Sequence, residues 1–185
     1  VFICLEGGDN VGKTTIAKEL ASALTVRYEK PVIITSEPDQ KTKQQLTNPE
    51  LTGLQKLLLI NFNRIHHLNN IIIPAIRRGE IVICDRFFYS TLCYQPVLDD
   101  VSPDLVYLLH NICCNDIMPD YNFLVVRHNQ KGTEDCLDKL YSQHKRAINN
   151  SFQNLSDLGF LTKINNNYTV EESISQIMKK IILTS

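Results

Sequence analysis

Long apolar runs are missing from these 185 residues. No segment approaches the roughly 20 consecutive apolar residues that a membrane-spanning helix needs. A basic excess is missing too: 19 Lys and Arg stand against 20 Asp and Glu, a net charge of −1 with pI ≈ 6.6. That balance lacks the electrostatic footprint of a nucleic-acid binder. Cysteine occurs six times (Cys4, Cys84, Cys93, Cys113, Cys114, Cys136), yet never as a Cys-x-x-Cys pair, so metal-ligand spacing is absent. Cys4 and Cys84 fall inside apolar runs, where the thiol acts as a small hydrophobe. No leader pattern precedes the first apolar run, and the cysteine usage suits a reducing compartment. The expected setting is therefore the cytoplasm, with neither membrane nor nucleic acid as partner. Internal repeats are lacking, and Asn165-Asn166-Asn167 reads as a turn. What is present is an ordinary globular composition, 43% hydrophobic and 21% charged, at a length suited to one domain over 1–185.

The most informative stretch is Gly7-Gly8-Asp9-Asn10-Val11-Gly12-Lys13-Thr14, with Thr15 following. It reads Gly, four residues, Gly-Lys-Thr. An apolar strand pattern, Val1–Leu5, leads into it, and Ile16, Leu20, Ala23 and Leu24 recur behind it at helical spacing. Strand, loop and helix in that order are the context this phosphate-binding pattern requires. Glycines let the backbone wrap an anion with its N–H groups inward. The helix presents its positive end, worth about half an elementary charge. Lys13 adds a full charge near the β and γ phosphates, and the Thr14 hydroxyl suits Mg²⁺. These residues predict binding of a nucleoside triphosphate with magnesium.

Apolar runs and helical patterns alternate along the rest of the chain. Strands are expected at Val1–Leu5, Val32–Thr35, Ile81–Cys84, Phe123–Val126 and Phe160–Ile164. Helices are expected at Thr14–Tyr28, Leu51–Asn61 continuing toward Arg78, Pro103–Ile112, Leu137–Leu158 and Val170–Ile182. Ser102-Pro103 and the Thr169…Glu172 capping box mark two helix starts. Alternating strand and helix predicts an α/β protein, a parallel five-stranded sheet with helices on both faces. Ligands bind such sheets at the carboxyl ends of the strands. The loop after the first strand, Ser36-Glu37-Pro38 after the second and Asp85-Arg86 after the third should thus meet at one crevice. An arginine at a strand end suits bidentate phosphate binding. Adjacent full charges ending an apolar strand need a ligand, a metal or each other.

The block from Asp85 to Gln95, Asp-Arg-Phe-Phe-Tyr-Ser-Thr-Leu-Cys-Tyr-Gln, resembles the Asp-Arg-Tyr/Phe-x-x-Ser-x-x-Ala-Tyr-Gln signature of thymidylate kinases. Leu5-Glu6-Gly7-Gly8-Asp9 is similar to their Leu-Glu-Gly-x-Asp, Glu37-Pro38 to the end of their Arg-Glu-Pro, and Pro119-Asp120 to a Pro-Asp before a strand. The resemblance implies a three-layer P-loop kinase fold and the use of ATP and Mg²⁺. It implies that Gly7, Gly8, Asn10, Val11, Gly12, Lys13, Thr14 and Thr15 bind ATP, and that Thr14 and Asp85 organise the metal. On the acceptor side it implies Asp9, Glu37, Ile60, Arg64, Arg86, Ser90, Thr91 and Tyr94. Arg86 would hold the acceptor phosphate, Asp9 the sugar 3′-hydroxyl and Arg64 a base carbonyl, while Tyr94 packs under a 2′-deoxy sugar. Lys13, Arg86 and Asp85 would carry catalysis, and family members usually form homodimers.

The chain departs from that pattern in several places. Ile60 stands where a base-stacking aromatic is expected, with Phe62 two residues away on another helix face. Ser36 replaces an arginine before Glu-Pro. The Asp39–Leu51 stretch looks shortened and lacks a phosphate-contacting arginine. Asn10 puts no arginine in the loop, and the lid region, about 128–145, offers Arg127, Lys131, Lys139, Lys145 and Arg146 instead of an arginine-rich run. The expected activity is ATP-dependent phosphorylation of a deoxynucleoside monophosphate, dTMP first. A deoxynucleoside kinase, with Glu37 or Asp85 as general base, and an ATP-binding protein without turnover stay open. Asn129-Gln130-Lys131-Gly132 does not supply the guanine-reading motif of a GTPase. Leu54, Leu57, Leu58 and Ile65 form an apolar stripe suited to core or interface.

Overall fold

The structure, a computed structural model, describes residues 1–127 and 136–182, with the backbone alone along 136–143. Of the lid residues, 128–135 with Lys131, and the Lys139 side chain, lie outside that description.

Five parallel strands form one sheet in the order β2-β3-β1-β4-β5: β1 Phe2–Glu6, β2 Val32–Ser36, β3 Ile81–Asp85, β4 Tyr121–Val126 and β5 Thr162–Asn165. The first three run one residue past their expected ends, because Glu6, Ser36 and Asp85 stay in the ladder although their side chains are polar. Apolar patterning is blind to such ends. The last strand starts two residues late. Phe160 belongs to a turn that closes the preceding helix, its N–H donating to Leu155 O and Gly159 lying at φ +84°.

Alternating residues of β1 feed two cores, as the period of two demands. Ile3 and Leu5 join Ile81, Ile83, Phe123 and Val125 against α1 (Lys13–Tyr28), through Ile16, Leu20 and Leu24. The same face takes Ile177 of α8 (Val170–Met178) and Ile181 just beyond it. Phe2 and Cys4 join Val82, Cys84 and Leu124 on the other face. There they meet Leu57 of α3 (Gly53–His67), Phe88 of α5 (Phe88–Asp99), Val106 of α6 (Pro103–Cys114) and Phe152 of α7 (Cys136–Asp157).

The long helix expected from Leu51 to Arg78 is three pieces: α3, a π-helical turn at Leu68–Ile72, and α4 at Ile73–Arg77. Pro74 has no N–H and its ring crowds the carbonyl one turn back. The wider π turn lets the chain pass it without ending the helix. Thr52 starts α3 with a full capping box, its hydroxyl accepting from Gln55 N–H while Gln55 Oε1 accepts from Thr52 N–H. Of the two helix starts expected from sequence, Thr169 forms half a box, accepting from Glu172 N–H at 3.2 Å. Ser102 stands at its cap position without a side-chain bond to the helix. A short helix the sequence reading lacks, α2 (Gln40–Leu46), is capped by Asp39, which accepts from Thr42 N–H at 2.7 Å. Its polar run carries no apolar periodicity, and it docks through Asp39 and Asn63, 2.7 Å apart. Among the described residues no helix is long and apolar enough to cross a membrane.

Candidate active site

Three residues in the loop after β1, Gly7, Asn10 and Gly12, are held by backbone needs. Gly7 sits at φ +135°, and a Cβ there would lie 2.5 Å from Val125 O. Gly12 sits at φ +95°, and a Cβ would lie 2.5 Å from the Asn166 amide nitrogen. Asn10 adopts the left-handed region at φ 59°. Val11 turns its side chain into the core and leaves its backbone to the loop. Gly8 is half-buried at the loop's rim. No side chain caps the first turn of α1, so its leading N–H groups are left to an anion. Asn166 braces the loop from below, donating to Val11 O at 2.7 Å while accepting from Ser173 at 3.0 Å.

Lys13 folds back along the loop, donating to Gly7 O at 3.2 Å and Gly8 O at 2.6 Å. Burial, with the Arg86 charge adding to it, pulls its ammonium down to about 8. Thr14 Oγ1 donates to Asp85 Oδ2 at 2.8 Å, so the hydroxyl and carboxylate expected to organise Mg²⁺ lie side by side at the helix start. An oxygen-only pair of this kind, short of a full cage, fits a cation completed by water and phosphate oxygens. Among the described residues no group of three or more His, Cys, Asp or Glu gathers as a metal site. Thr15 is exposed and lines neither cavity described below.

Asp85 and Arg86 do not pair with each other. Arg86 adopts φ +73°, which turns its side chain away and costs a non-glycine residue on the order of 1–2 kcal/mol. Its guanidinium donates to Gly7 O at 2.8 Å, Ser90 Oγ at 3.2 Å and Asp9 Oδ1 at 2.5 Å. The Tyr94 ring lies 4.9 Å from Arg86 Cζ, and the Tyr94 hydroxyl donates to Asp9 Oδ2 at 3.4 Å. Burial pushes that phenol up to about 12, so it stays neutral. Burial opposes the Arg86 cation, but Tyr94, Asp9 and Glu6 outweigh it and hold it above its usual range.

Arg64 is only 1% exposed. Its Nε donates to Glu37 Oε2 at 2.8 Å, and one terminal nitrogen donates to Thr91 Oγ1 at 2.8 Å and Phe87 O at 3.2 Å. The other, Nη1, is buried without a partner, as is Oε1 of Gln95. Both residues line the same cavity, with Ile60, Tyr94 and Leu98 as its apolar wall. Phe62, the other aromatic near Ile60 in sequence, is 71% exposed and outside it.

Two cavities result. One of about 400 Å³ is lined by Asn10, Lys13, Thr14, Ser36 and Asp85, and one of about 490 Å³ by Ile60, Arg64, Ser90, Thr91, Tyr94 and Gln95. They share four residues: Asp9, Glu37, Lys43 and Arg86. The three strand ends therefore do converge on one crevice. Lys43 comes from α2 and puts a cation at the junction, in the stretch that lacks the expected arginine. The polar start Pro38-Asp39, with an N-cap residue after a proline, was the available signal. Gln95 and Glu6 lay inside quoted motifs but carried no expected role. Among the described residues, Arg127, Lys145 and Arg146 line neither cavity, so the expected lid cation is not found in them.

A P-loop opening a parallel sheet, with two nucleotide-sized cavities meeting beside it, defines a P-loop nucleotide-binding protein. A family model described as Thymidylate kinase matches residues 5–181, and the chain belongs to the thymidylate kinase family. The thymidylate kinase of Rickettsia typhi (strain Wilmington) is 35% identical over 168 residues, 84% of this chain and 82% of that one. That of Rickettsia africae is 39% identical over 129 residues, covering 67% of this chain and 63% of the relative, less than two thirds of its length. The crystal structure of thymidylate kinase from Ehrlichia chaffeensis shares the fold, with a TM-score of 0.79 over 97% of each chain at 24% identity.

Proposed function

We propose that this chain transfers the γ-phosphate of ATP to dTMP, giving dTDP for nucleotide biosynthesis. The observation that carries the reading is the shared wall of the two cavities, where Arg86 and Lys43 face both. Two phosphate chains laid end to end would meet there. ATP enters the smaller cavity, on the loop and Lys13. The acceptor enters the larger one, its phosphate on Arg86, its sugar over Tyr94 with the 3′-hydroxyl toward Asp9.

The acceptor phosphate is already ionised, so no base is needed to activate it. Positioning and charge neutralisation carry the rate. Lys13, Lys43 and Arg86 hold three cations around the oxygens where charge gathers. Thr14 and Asp85 would hold Mg²⁺, which supplies further charge neutralisation when bound. Base choice falls to Arg64 and Gln95, which line one cavity and whose Nη1 and Oε1, a donor and an acceptor, are buried without a protein partner. Thymine offers the matching edge, with O4 to accept and N3–H to donate. Cytosine offers the reverse.

A deoxynucleoside kinase needs a general base beside the 5′-hydroxyl. Both residues suited to that role are engaged, Glu37 by Arg64 and His67, and Asp85 by Thr14. That favours a monophosphate acceptor. Leu54, Leu58 and Phe62 are exposed at 49%, 47% and 71% along one stripe of α3. With Leu108 and Ile112 exposed on α6, which packs beside α3, they suit a homodimer interface. Free thiols at Cys4, Cys84, Cys93, Cys113 and Cys114 suit a cytoplasmic enzyme.

The test is a coupled ATP assay offering dTMP, thymidine and dCMP. Turnover with dTMP far above the other two is expected. Thymidine as the better acceptor would replace the reading with a nucleoside kinase. ATP binding by calorimetry with no turnover on any acceptor would replace it with a nucleotide-binding protein.

A further inference from the structure

Glu6, the last residue of β1, is a carboxylate with no exposed surface. It points neither into the phosphate loop nor into either cavity, but across to the start of α5. Its Oε1 accepts from Phe87 N–H at 3.1 Å, and its Oε2 accepts from the Ser90 hydroxyl. The first bond is the one a capping-box glutamate would give its own helix, supplied here from the neighbouring strand. An anion at that end also suits the helix dipole. A cap alone, however, leaves the second bond unexplained.

The second bond fixes a polarity. Burial pushes the Glu6 carboxyl up, while the Ser90 hydrogen bond and the Arg86 charge favour its ionised form; ionised, it only accepts, and Ser90 has one hydroxyl proton. The proton therefore points at Glu6, and the Ser90 lone pairs face the Arg86 guanidinium, 3.2 Å away. Glu6 also precedes Gly7, whose carbonyl takes the same guanidinium nitrogen at 2.8 Å. Arg86 itself stands in a left-handed conformation, pinned on one side by its N–H to Leu5 O at 3.0 Å and on the other by the Phe87 N–H to Glu6. One buried side chain thus holds the backbone of the Arg86 turn and aims the side chain that leaves it.

We propose that Glu6 is a positioning residue for phosphoryl transfer, keeping Ser90 a hydrogen-bond acceptor so that the Arg86 guanidinium stays aimed at the junction of the two cavities. The proposal rests on the kinase reading above. Glu6 touches neither nucleotide and acts through Ser90 and Arg86.

The test is Glu6→Gln, which keeps shape and the bond from Phe87 but puts an N–H donor against Ser90. Titration calorimetry on wild type and variant, with dTMP and ATP separately, should show dTMP binding weakened roughly tenfold, the scale of a hydrogen bond to a charged group, and ATP binding within about twofold. The KM for dTMP should rise in step. Unchanged dTMP affinity, or equal loss for both nucleotides, overturns the proposal and leaves Glu6 a helix cap. Should Glu6→Gln fail to fold, Ser90→Ala breaks the same link from its other end, and dTMP affinity equal to wild type there overturns it as well. Wild-type protein that binds ATP but no deoxynucleoside monophosphate would sink the kinase reading itself, a result distinct from any difference between wild type and variant.

Discussion

His67 Nδ1 lies 2.8 Å from Glu37 Oε1, and the other oxygen of that carboxylate holds Arg64. A carboxylate only accepts, so Nδ1 donates to Glu37, while Nε2 lies 2.6 Å from the Thr35 hydroxyl. Half-buried Thr35 and buried His67, Glu37 and Arg64 form one chain from β2 to the wall of the larger cavity. His67→Ala leaves a buried carboxylate oxygen without a donor, which costs about 1–3 kcal/mol. Urea unfolding should show that loss, and the KM for dTMP should rise several-fold while that for ATP holds. His67→Asn, whose amide nitrogen falls where Nδ1 was, should restore the acceptor KM. Lost stability with no change in acceptor affinity would mean the chain serves the fold alone.

Lys13 gives the pH dependence. Its ammonium is lowered to about 8, chiefly by burial. A lowered lysine is charged below that value and neutral above it, so phosphate binding at the loop weakens as pH rises through 8. The profile of kcat/KM for ATP reports the free enzyme. It should fall on its alkaline side with a one-proton slope, approaching a tenfold loss per pH unit. A flat profile to pH 9.5 would show that Lys13 keeps its charge or that the step does not need it.

Much of this was readable from residues alone, for physical reasons that also mark where reading stopped. The loop and Asp85-Arg86 follow strands whose apolar runs are unmistakable, so sequence placed them at strand ends and topology gathered them. Helix α2 escaped because Gln40–Leu46 holds one apolar residue, Leu46, and is positioned by Asp39 and Asn63 instead of a greasy face. Lys43 was lost with it. Arg64 lay on an expected helix, but nothing local reveals that Glu37, 27 positions earlier, neutralises it. Glu6 looked like the polar end of a strand. Its partners, Phe87 and Ser90, come from more than 80 positions away. Distance in the chain, not weakness of the contact, hid these groups.

The exposed stripe on α3 predicts assembly. Leu57 is fully buried and Ile65 packs on the core, so the expected apolar stripe divides: its inner half is core, and Leu54 and Leu58 face outward with Phe62. Sedimentation should give wild type at twice the 21.2 kDa chain mass. Leu58→Glu should shift it to a single chain without lowering the unfolding midpoint of the monomer, since the side chain is half exposed already. A wild type that sediments as one chain would rule out the dimer.

Ile60 tests how the acceptor cavity divides affinity from selectivity. It is 6% exposed and supplies an apolar wall without a ring face. Ile60→Phe adds a ring toward the cavity, where there is room, and a base–aromatic stack is worth on the order of 1 kcal/mol. The KM for dTMP should fall about fivefold. Every base has a π face, so dCMP should gain by a similar factor and the preference for dTMP should not move. On the proposed reading, preference belongs to Arg64 and Gln95, because an unpaired buried donor or acceptor punishes the wrong edge. Gln95→Leu should accordingly lower kcat/KM for dTMP by at least tenfold and narrow its lead over dCMP. If Ile60→Phe changed the preference and Gln95→Leu did not, the base would be read by shape at position 60 and not by the polar pair.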